Sequence, residues 1–400
     1  MGGGSSSHAA AAAVRTKQAN GNGGKGGSKP GSSDSNNSNA SGRSSPDADA
    51  AQLLLLLARL MADREGNGGP KRDGDGATAQ ATRMVTENET LHELYKSKSY
   101  LGQGGFGIVV RGRHYMDQAW YAIKVIGFDR SDLGTVVREV RALACLPTHA
   151  HVVAYKGCWV ENVDKIKDDG LRLKLRTLPC RRGSSLPDFI LCIRLECCSG
   201  NLDHFMGGRN RKFFTSDSFK GPPTPADRVC LRDERSFNEV GHKTHKAIFI
   251  DILKGLAFLH QRSIIHRDLK PGNILFDKES MDFKITDFGL AKHFESAQEY
   301  MTNVGTYLYA APEQISMKHY DQSADVYPLG LILFELLYPF NSNDDFVSNI
   351  KDLKSEGRLP PGLVSLHPSA AKLIRQMISE TPSARPTVEH LLTRVDWKTV

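Results

Sequence analysis

Ile264–Asn273 reads IIHRDLKPGN, and fourteen residues beyond that Asn the chain reads ITDFGLAK, centred on Asp287. Each segment carries an Asp in a setting where phosphoryl chemistry needs one. Asp268 is placed to accept a proton from an attacking hydroxyl, and Lys270, two residues on, to contact a terminal phosphate oxygen. Asn273 and Asp287 offer amide and carboxylate oxygens, which suit a hard ion such as Mg2+. The pair of segments therefore points to transfer of a phosphoryl group from a nucleotide to a hydroxyl.

Upstream, Leu101–Val109 reads LGQGGFGIV, in which Gly102, Gly104 and Gly107 form GxGxxG. Without side chains there, backbone N–H groups can approach phosphate oxygens closely. Alone this is also the signature of an ordinary Gly-rich hairpin. A strand follows it here, whereas a dinucleotide-binding fold would follow it with a helix. Lys124 lies in YAIKV, at the centre of an apolar strand, and a buried ammonium needs a partner. Glu139 is the only acidic residue in the helical stretch Thr135 to Leu146 and is the expected partner. Downstream, Ala311-Pro312-Glu313 follows the DFG by a loop-length segment. Arg385, in SARPT, is expected to pair with Glu313, and Asp325 to cap the backbone of the HRD loop.

Residues 1 to about 50 are Gly, Ser, Asn and Ala with scattered charges, a composition that cannot bury enough apolar surface to order itself. Gln52 to Asp63 interrupts it with a Leu-rich helix pattern, read either as a weakly docking helix or as a partner-binding one. The spacing predicts strands over Tyr100–Gly112 and Gln118–Ile126, a helix over Thr135–Leu146 with Val136, Val140 and Leu143 on one stripe, and strands over Val152–Val160 and Phe189–Leu195. Two polar stretches, Glu161 to Pro187 and Gly207 to Gly241, read as inserted loops. Helices follow over His245–His260, Asp325–Leu337, Ala370–Ser379 and Val388–Arg394. The second is apolar nearly all round and so should be buried, with Pro328 in its first turn. A strand-rich first half and a helical second half predict two lobes with a cleft between them.

The 400 residues allow two lobes, and a net charge of +7 is too mild and too scattered to argue for nucleic-acid binding. Seven cysteines without a CxxC pair read as free thiols in a reducing compartment. The apolar run Leu53–Leu57 is far too short to span a bilayer. A cytoplasmic protein without a membrane anchor is expected.

With all of these motifs in sequence order, the chain resembles the eukaryotic protein kinases over roughly residues 95 to 398. The resemblance implies an α+β, bilobal fold: a small β-rich N-lobe (94–198, with an insert at 161–187) and a larger helical C-lobe (199–398, with an insert at 207–241), after a disordered extension over 1–93. It implies ATP and Mg2+ as cofactors. Leu101, Val109, Ala122 and Leu275 would enclose adenine, Leu195 would be the gatekeeper, and Glu196 to Cys198 the hinge. Lys270 after HRDL, with Gly305-Thr306 before APE, is similar to the Ser/Thr branch. GTYLYAAPEQI, DVYPLGLILFELLYPF and VVREVRAL followed by CWVEN are similar to the kinases that phosphorylate the alpha subunit of translation initiation factor two. Pro328 in place of the usual Ser, and the second insert, depart from that pattern. The Leu-rich N-terminal extension most resembles the haem-regulated type, although Cys180 follows its Pro rather than preceding it.

The resemblance further implies a protein substrate, a homodimer and activation through phosphorylation of the loop from Ala291 to Tyr307. The loop offers Ser296, Tyr300, Thr302 and Thr306; by position Thr302 is the first choice and Thr306 the second, with Arg267 as the phosphate's partner. Three other readings stay open: a Ser/Thr kinase of another branch, a pseudokinase scaffold, and anion or RNA sensing by the basic stretch Lys165 to Arg182, for which a solvated loop is the favoured reading.

Overall fold

Period-two alternation builds a five-stranded antiparallel sheet in the order β1-β2-β3-β5-β4. Its strands are β1 (Tyr95–Gly104), β2 (Gly107–His114), β3 (Trp120–Phe128), β4 (Tyr155–Asn162) and β5 (Phe189–Glu196). The computed structural model describes residues 91–104, 107–129, 136, 140, 143–176, 186–215, 245–288, 304–316, 318 and 320–397. The expected extension before residue 91, its Leu-rich stretch, Cys180, Glu139 and Thr302 lie outside the described residues.

The sheet has two buried faces with different partners. Ile108, Val110, Ile123, Val125, Ile190 and Cys192 turn to a small cluster that also holds Tyr95 and Trp159. Two short helices close that face: α1 (Leu91–Leu94) with both leucines, and α2 (Asp169–Leu175) with Leu171 and Leu175. The loop expected over 161–187 is therefore partly regular structure. β4 runs on to Asn162, a 3-10 turn follows at Val163–Lys165, and Asp168 caps α2 by accepting from the Leu171 N–H at 3.0 Å. Seven residues hold too few helical periods to stand out against a basic composition. Leu91, three residues before the expected boundary at residue 94, is buried. The stretch 100–112, read as one strand, is a hairpin of two, with Gly104 opposite Gly107. β4 begins at Tyr155, while Val152 forms an isolated parallel bridge to Ile285.

The other face of the sheet turns to the C-lobe. Val136, Val140 and Leu143 are helical and buried in the large core cluster, as their spacing predicts. After β5 come β6 (Gly200–Asn201) and α3 (Leu202–Thr215). The loop expected from Gly207 is thus helix as far as Thr215; the rest of that stretch lies outside the described residues. Then follow α4 (His245–His260), β7 (Ile274–Asp277), β8 (Asp282–Ile285), α5 (Val304–Tyr309), α6 (Pro312–Ile315), α7 (Ser323–Leu337), α8 (Asn343–Glu356), α9 (Pro361–Leu366), α10 (Pro368–Met377) and α11 (Val388–Arg394).

In α4 the stripe Ile248, Ile252, Leu256 and Leu259 is fully buried. α7 is buried from Ala324 to Leu337, the core of the lobe. Pro328 stands in its second turn, not its first, so the helix forgoes the bond to the Ala324 carbonyl. Arg209 of α3, itself buried, donates to the Glu335 and Leu336 carbonyls at 2.9 Å each and satisfies the end of α7. Among the described residues no helix is long and apolar enough to cross a membrane, and the five described cysteines are unpaired.

Candidate active site

The cleft between the lobes takes one wall from the sheet. Register places Val109 opposite Lys124, Lys124 opposite Ile193, and Ala122 opposite Leu195. Directly opposed residues share a face, so Val109, Ala122, Lys124, Ile193 and Leu195 all lie on the side away from the small cluster. Gly102 pairs with Val109 at the rim, where Leu101 is 52% exposed. Gly107 has φ of +137°, and a Cβ there would stand 2.2 Å from the Val125 carbonyl oxygen, so only glycine fits. Leu275 lies on β7, opposite Asn201 and Lys284.

Lys124 is 2% exposed, and its ammonium donates to Asp287 Oδ1 at 2.8 Å. Burial pushes the Asp287 carboxyl up, but Lys124, with His266 and Lys270 behind it, outweighs that and holds it below the usual carboxylate range. Asp287 has φ of +63°, a conformation few non-glycine residues adopt. Phe288 is buried in the same cluster as Val140 and Leu143, so the turn after β8 that carries Asp287 is anchored beneath the helix of the N-lobe. Leu195, Lys124, Leu143, Val153, Ile193 and Phe288 line one recess at the back of the cleft.

The second carboxylate sits on the loop after α4. Asp268 accepts from Lys270 Nζ at 2.8 and 3.0 Å and from Asn273 Nδ2 at 3.0 Å. The same Asn273 amide donates to the Asp268 carbonyl at 2.8 Å. With its nitrogen so committed, the Asn273 side-chain oxygen is left for a cation, and with the Asp287 carboxylate it forms a donor set that fits Mg2+.

This loop is held from below by buried side chains. Asp325, 1% exposed, accepts from the N–H groups of His266 and Arg267 at 2.7 and 2.8 Å and from His260 Nε2 at 2.9 Å. The expected cap is in place, and His260 is a third partner that spacing does not reveal. His266 donates from Nε2 to the Thr286 carbonyl at 2.8 Å and accepts the Asp268 N–H on Nδ1 at 3.3 Å. One imidazole thus joins the catalytic loop to the residue before Asp287. Arg267 has φ of +72°, and Gln314 of α6 donates to its carbonyl at 2.9 Å. Glu313 and Arg385 form the expected buried pair, at 2.5 and 2.8 Å, and Arg385 also reaches the Ser323 carbonyl at 3.0 Å.

Two placements could not be read from the sequence. The Glu196 side chain does not face the cleft's nucleotide position: Oε1 accepts the Ala154 N–H at 2.9 Å and Oε2 pairs with Lys284 at 2.9 Å. Burial alone would depress the Lys284 ammonium, yet Glu196 and Asp277 hold it above its usual value. A lone Lys in the apolar strand DFKI is the only trace of this pair in the sequence. Cys198 next door is half-buried, and burial pushes its thiol up to about 12. Thr306 lies in α5, with its side chain outside the described residues.

Residues 95–396 match the protein kinase domain family. The chain is 31% identical over 307 residues to the interferon-induced, double-stranded RNA-activated protein kinase of Mus musculus, covering 75% of this chain and 50% of that one. It is 32% identical over 350 residues to the Arabidopsis thaliana eIF-2-alpha kinase GCN2, covering 79% and 25%. It is 34% identical over 427 residues to the Mus musculus eukaryotic translation initiation factor 2-alpha kinase 1, covering 78% and 68%. The chain therefore spans half or less of the first two relatives and about two thirds of the third.

Proposed function

The chain belongs to the protein kinase family, among its eukaryotic initiation-factor-2-alpha kinases, and from that premise we propose that it phosphorylates serine or threonine on the alpha subunit of translation initiation factor two. Its effect would be to restrain protein synthesis under stress. One observation carries the enzymatic reading: Lys124 meets Asp287 at 2.8 Å in the same cleft where Asn273 and Lys270 converge on Asp268. A scaffold without turnover has no need for all five groups in that arrangement.

Protein kinases of this family use ATP with Mg2+, which supplies the transferable phosphoryl group and the charge that offsets its oxygens. Asn273 and Asp287 would hold the metal ions, and Lys124 would orient the nucleotide's phosphates with Glu139 as its second partner. The glycines at 102, 104 and 107 would let backbone N–H groups approach those phosphates. Leu101, Val109, Ala122 and Leu275 would enclose the purine. Glu196 and Cys198 would meet its edge through their backbone, since the Glu196 carboxylate is engaged elsewhere. Asp268 accepts the proton from the substrate hydroxyl at its carboxylate as that oxygen attacks. Lys270 holds Asp268 in place and offsets charge on the transferred group.

Arg267 supports a regulatory part to the proposal. Its Nε is buried and has no hydrogen-bond partner among the described residues. A phosphate on Thr302, or secondarily Thr306, would supply one. Residence in the cytosol fits the free thiols, and a homodimer is carried over from the family resemblance.

The test is phosphorylation of purified alpha subunit against a generic basic protein, with ATP and Mg2+, by wild type and Asp268→Asn. Preference for the alpha subunit, lost in the variant, is expected. Equal use of both proteins would sink the substrate assignment, and activity surviving in Asp268→Asn would sink the assignment of the base.

A further inference from the structure

Lys284 precedes Asp287 by three residues and is marked by no motif. It is 8% exposed, its ammonium pairs with Glu196 Oε2 at 2.9 Å, and it lies 3.3 Å from Asp277 Oδ2. Glu196 ends β5, where the chain passes from one lobe to the other. Its second oxygen accepts the Ala154 N–H at 2.9 Å, and its own N–H donates to the Ala154 carbonyl at 3.0 Å. Lys284 stands directly across from Leu275, so the two share a face of the β7–β8 hairpin. The next residue, Ile285, exchanges backbone bonds with the segment before β4: its N–H reaches the His151 carbonyl at 3.0 Å, and its carbonyl takes the Val153 N–H at 2.9 Å.

One carboxylate thus ties together the interlobe connection, the lead into β4 and the strand that delivers Asp287. We propose that the Glu196–Lys284 pair is a positioning clamp that fixes the hinge against the floor of the cleft and so sets affinity for the nucleotide's purine end. The proposal rests on the kinase reading above and adds two positioning residues to it. The clamp lies away from the reacting phosphate, so loosening it weakens ground state and transition state alike. That is a change in KM with kcat held. A merely structural ion pair would instead lower thermal stability and leave the KM of the folded fraction where it was.

The experiment compares Lys284→Met, Lys284→Arg and Glu196→Gln with wild type. It reads KM for ATP, kcat at saturating ATP, and the dissociation constant of Mg-ADP by calorimetry. Lys284→Met and Glu196→Gln are expected to raise KM and the ADP constant about fivefold to tenfold, equivalent to about 1 to 1.4 kcal/mol, with kcat within about twofold. Lys284→Arg, which keeps the cation, is expected to restore both within about twofold. Unchanged constants in the folded variants would overturn the clamp, as would an equal loss in the Arg variant or a parallel fall in kcat. If Lys284→Met does not fold, Glu196→Gln, which keeps the acceptor for Ala154, decides by the same readings. A wild-type protein that neither binds Mg-ADP nor phosphorylates any protein overturns the kinase reading and the clamp together, before any variant is made.

Discussion

The floor of the cleft carries its reactive groups on backbone pinned by buried side chains, whereas the roof carries its on a hairpin of glycines with an exposed rim. On the floor, Asp325, His266, Gln314 and Arg385 each bond to the catalytic loop or to the helices beneath it. On the roof, Leu101 and Tyr100 are 52% and 45% exposed, and a Cβ at Gly102 would meet nothing within 4 Å. The contrast separates rate from affinity. Groups that act on developing charge must be preorganised, because reorganising them at the moment of reaction costs rate. Groups that cover a nucleotide must admit and release it, and rigid packing there would oppose exchange.

The largest effect expected from that contrast is on the floor. Asp268→Asn should lower the phosphorylation rate about 10²- to 10⁴-fold, with the unfolding midpoint nearly unchanged. A variant that retained most of the rate would remove the distinction between the two walls. Next comes the support beneath it. Asp325→Ala strands the buried His266 N–H, the part-buried Arg267 N–H and His260, and should cost about 3 kcal/mol of stability, visible in thermal or denaturant unfolding. A loss below about 1 kcal/mol would show that the loop holds its shape without this cap.

Within the roof, two glycines should behave differently. Gly107→Ala forces a Cβ into the Val125 carbonyl at a φ of +137° and should cost about 2 kcal/mol and raise KM for ATP. Gly102→Ala meets open space and should change stability by less than about 0.5 kcal/mol. Equal costs would mean that the hairpin is not anchored at Gly107 at all.

A separate, pH-dependent effect concerns α7, under the floor. Glu335 is buried there and accepts from the Tyr309 hydroxyl. Burial pushes its carboxyl up to about 8, against the opposing pull of Tyr309 and Arg209. Its folded value lies above the ordinary 4.5, so the folded chain keeps a proton that the unfolded chain releases. Stability should therefore fall as pH rises from about 4.5 to about 8. Glu335→Gln should flatten that slope in unfolding curves taken across the window; an unaltered slope would place the titration elsewhere.

The order of motifs made much of the floor legible. HRDLKPGN and DFG are each an unbroken run and lie within about 25 residues of one another, so the residues that must act together sit close together in the chain. Long buried helices were equally readable, since Ile248, Ile252, Leu256 and Leu259 repeat over four turns of α4. Short elements were not. α2 spans Asp169–Leu175, and its packing against Leu91 and Tyr95 depends on a partner at the far edge of the sheet. Composition reported the polar face of that helix and hid the two leucines that order it.

By itself the sequence determined which chemical groups this protein possesses, their order, and the lobes that carry them, because motif spacing and periodicity are local properties of the chain. Tertiary structure alone decided the charge partners that no motif announces. Lys284 finds Glu196 across 88 residues, and His260 finds Asp325 across 65. A lone charged residue carries no record of its partner in the primary structure, and only the packing of strand against hinge and helix against loop brings the two within bonding distance.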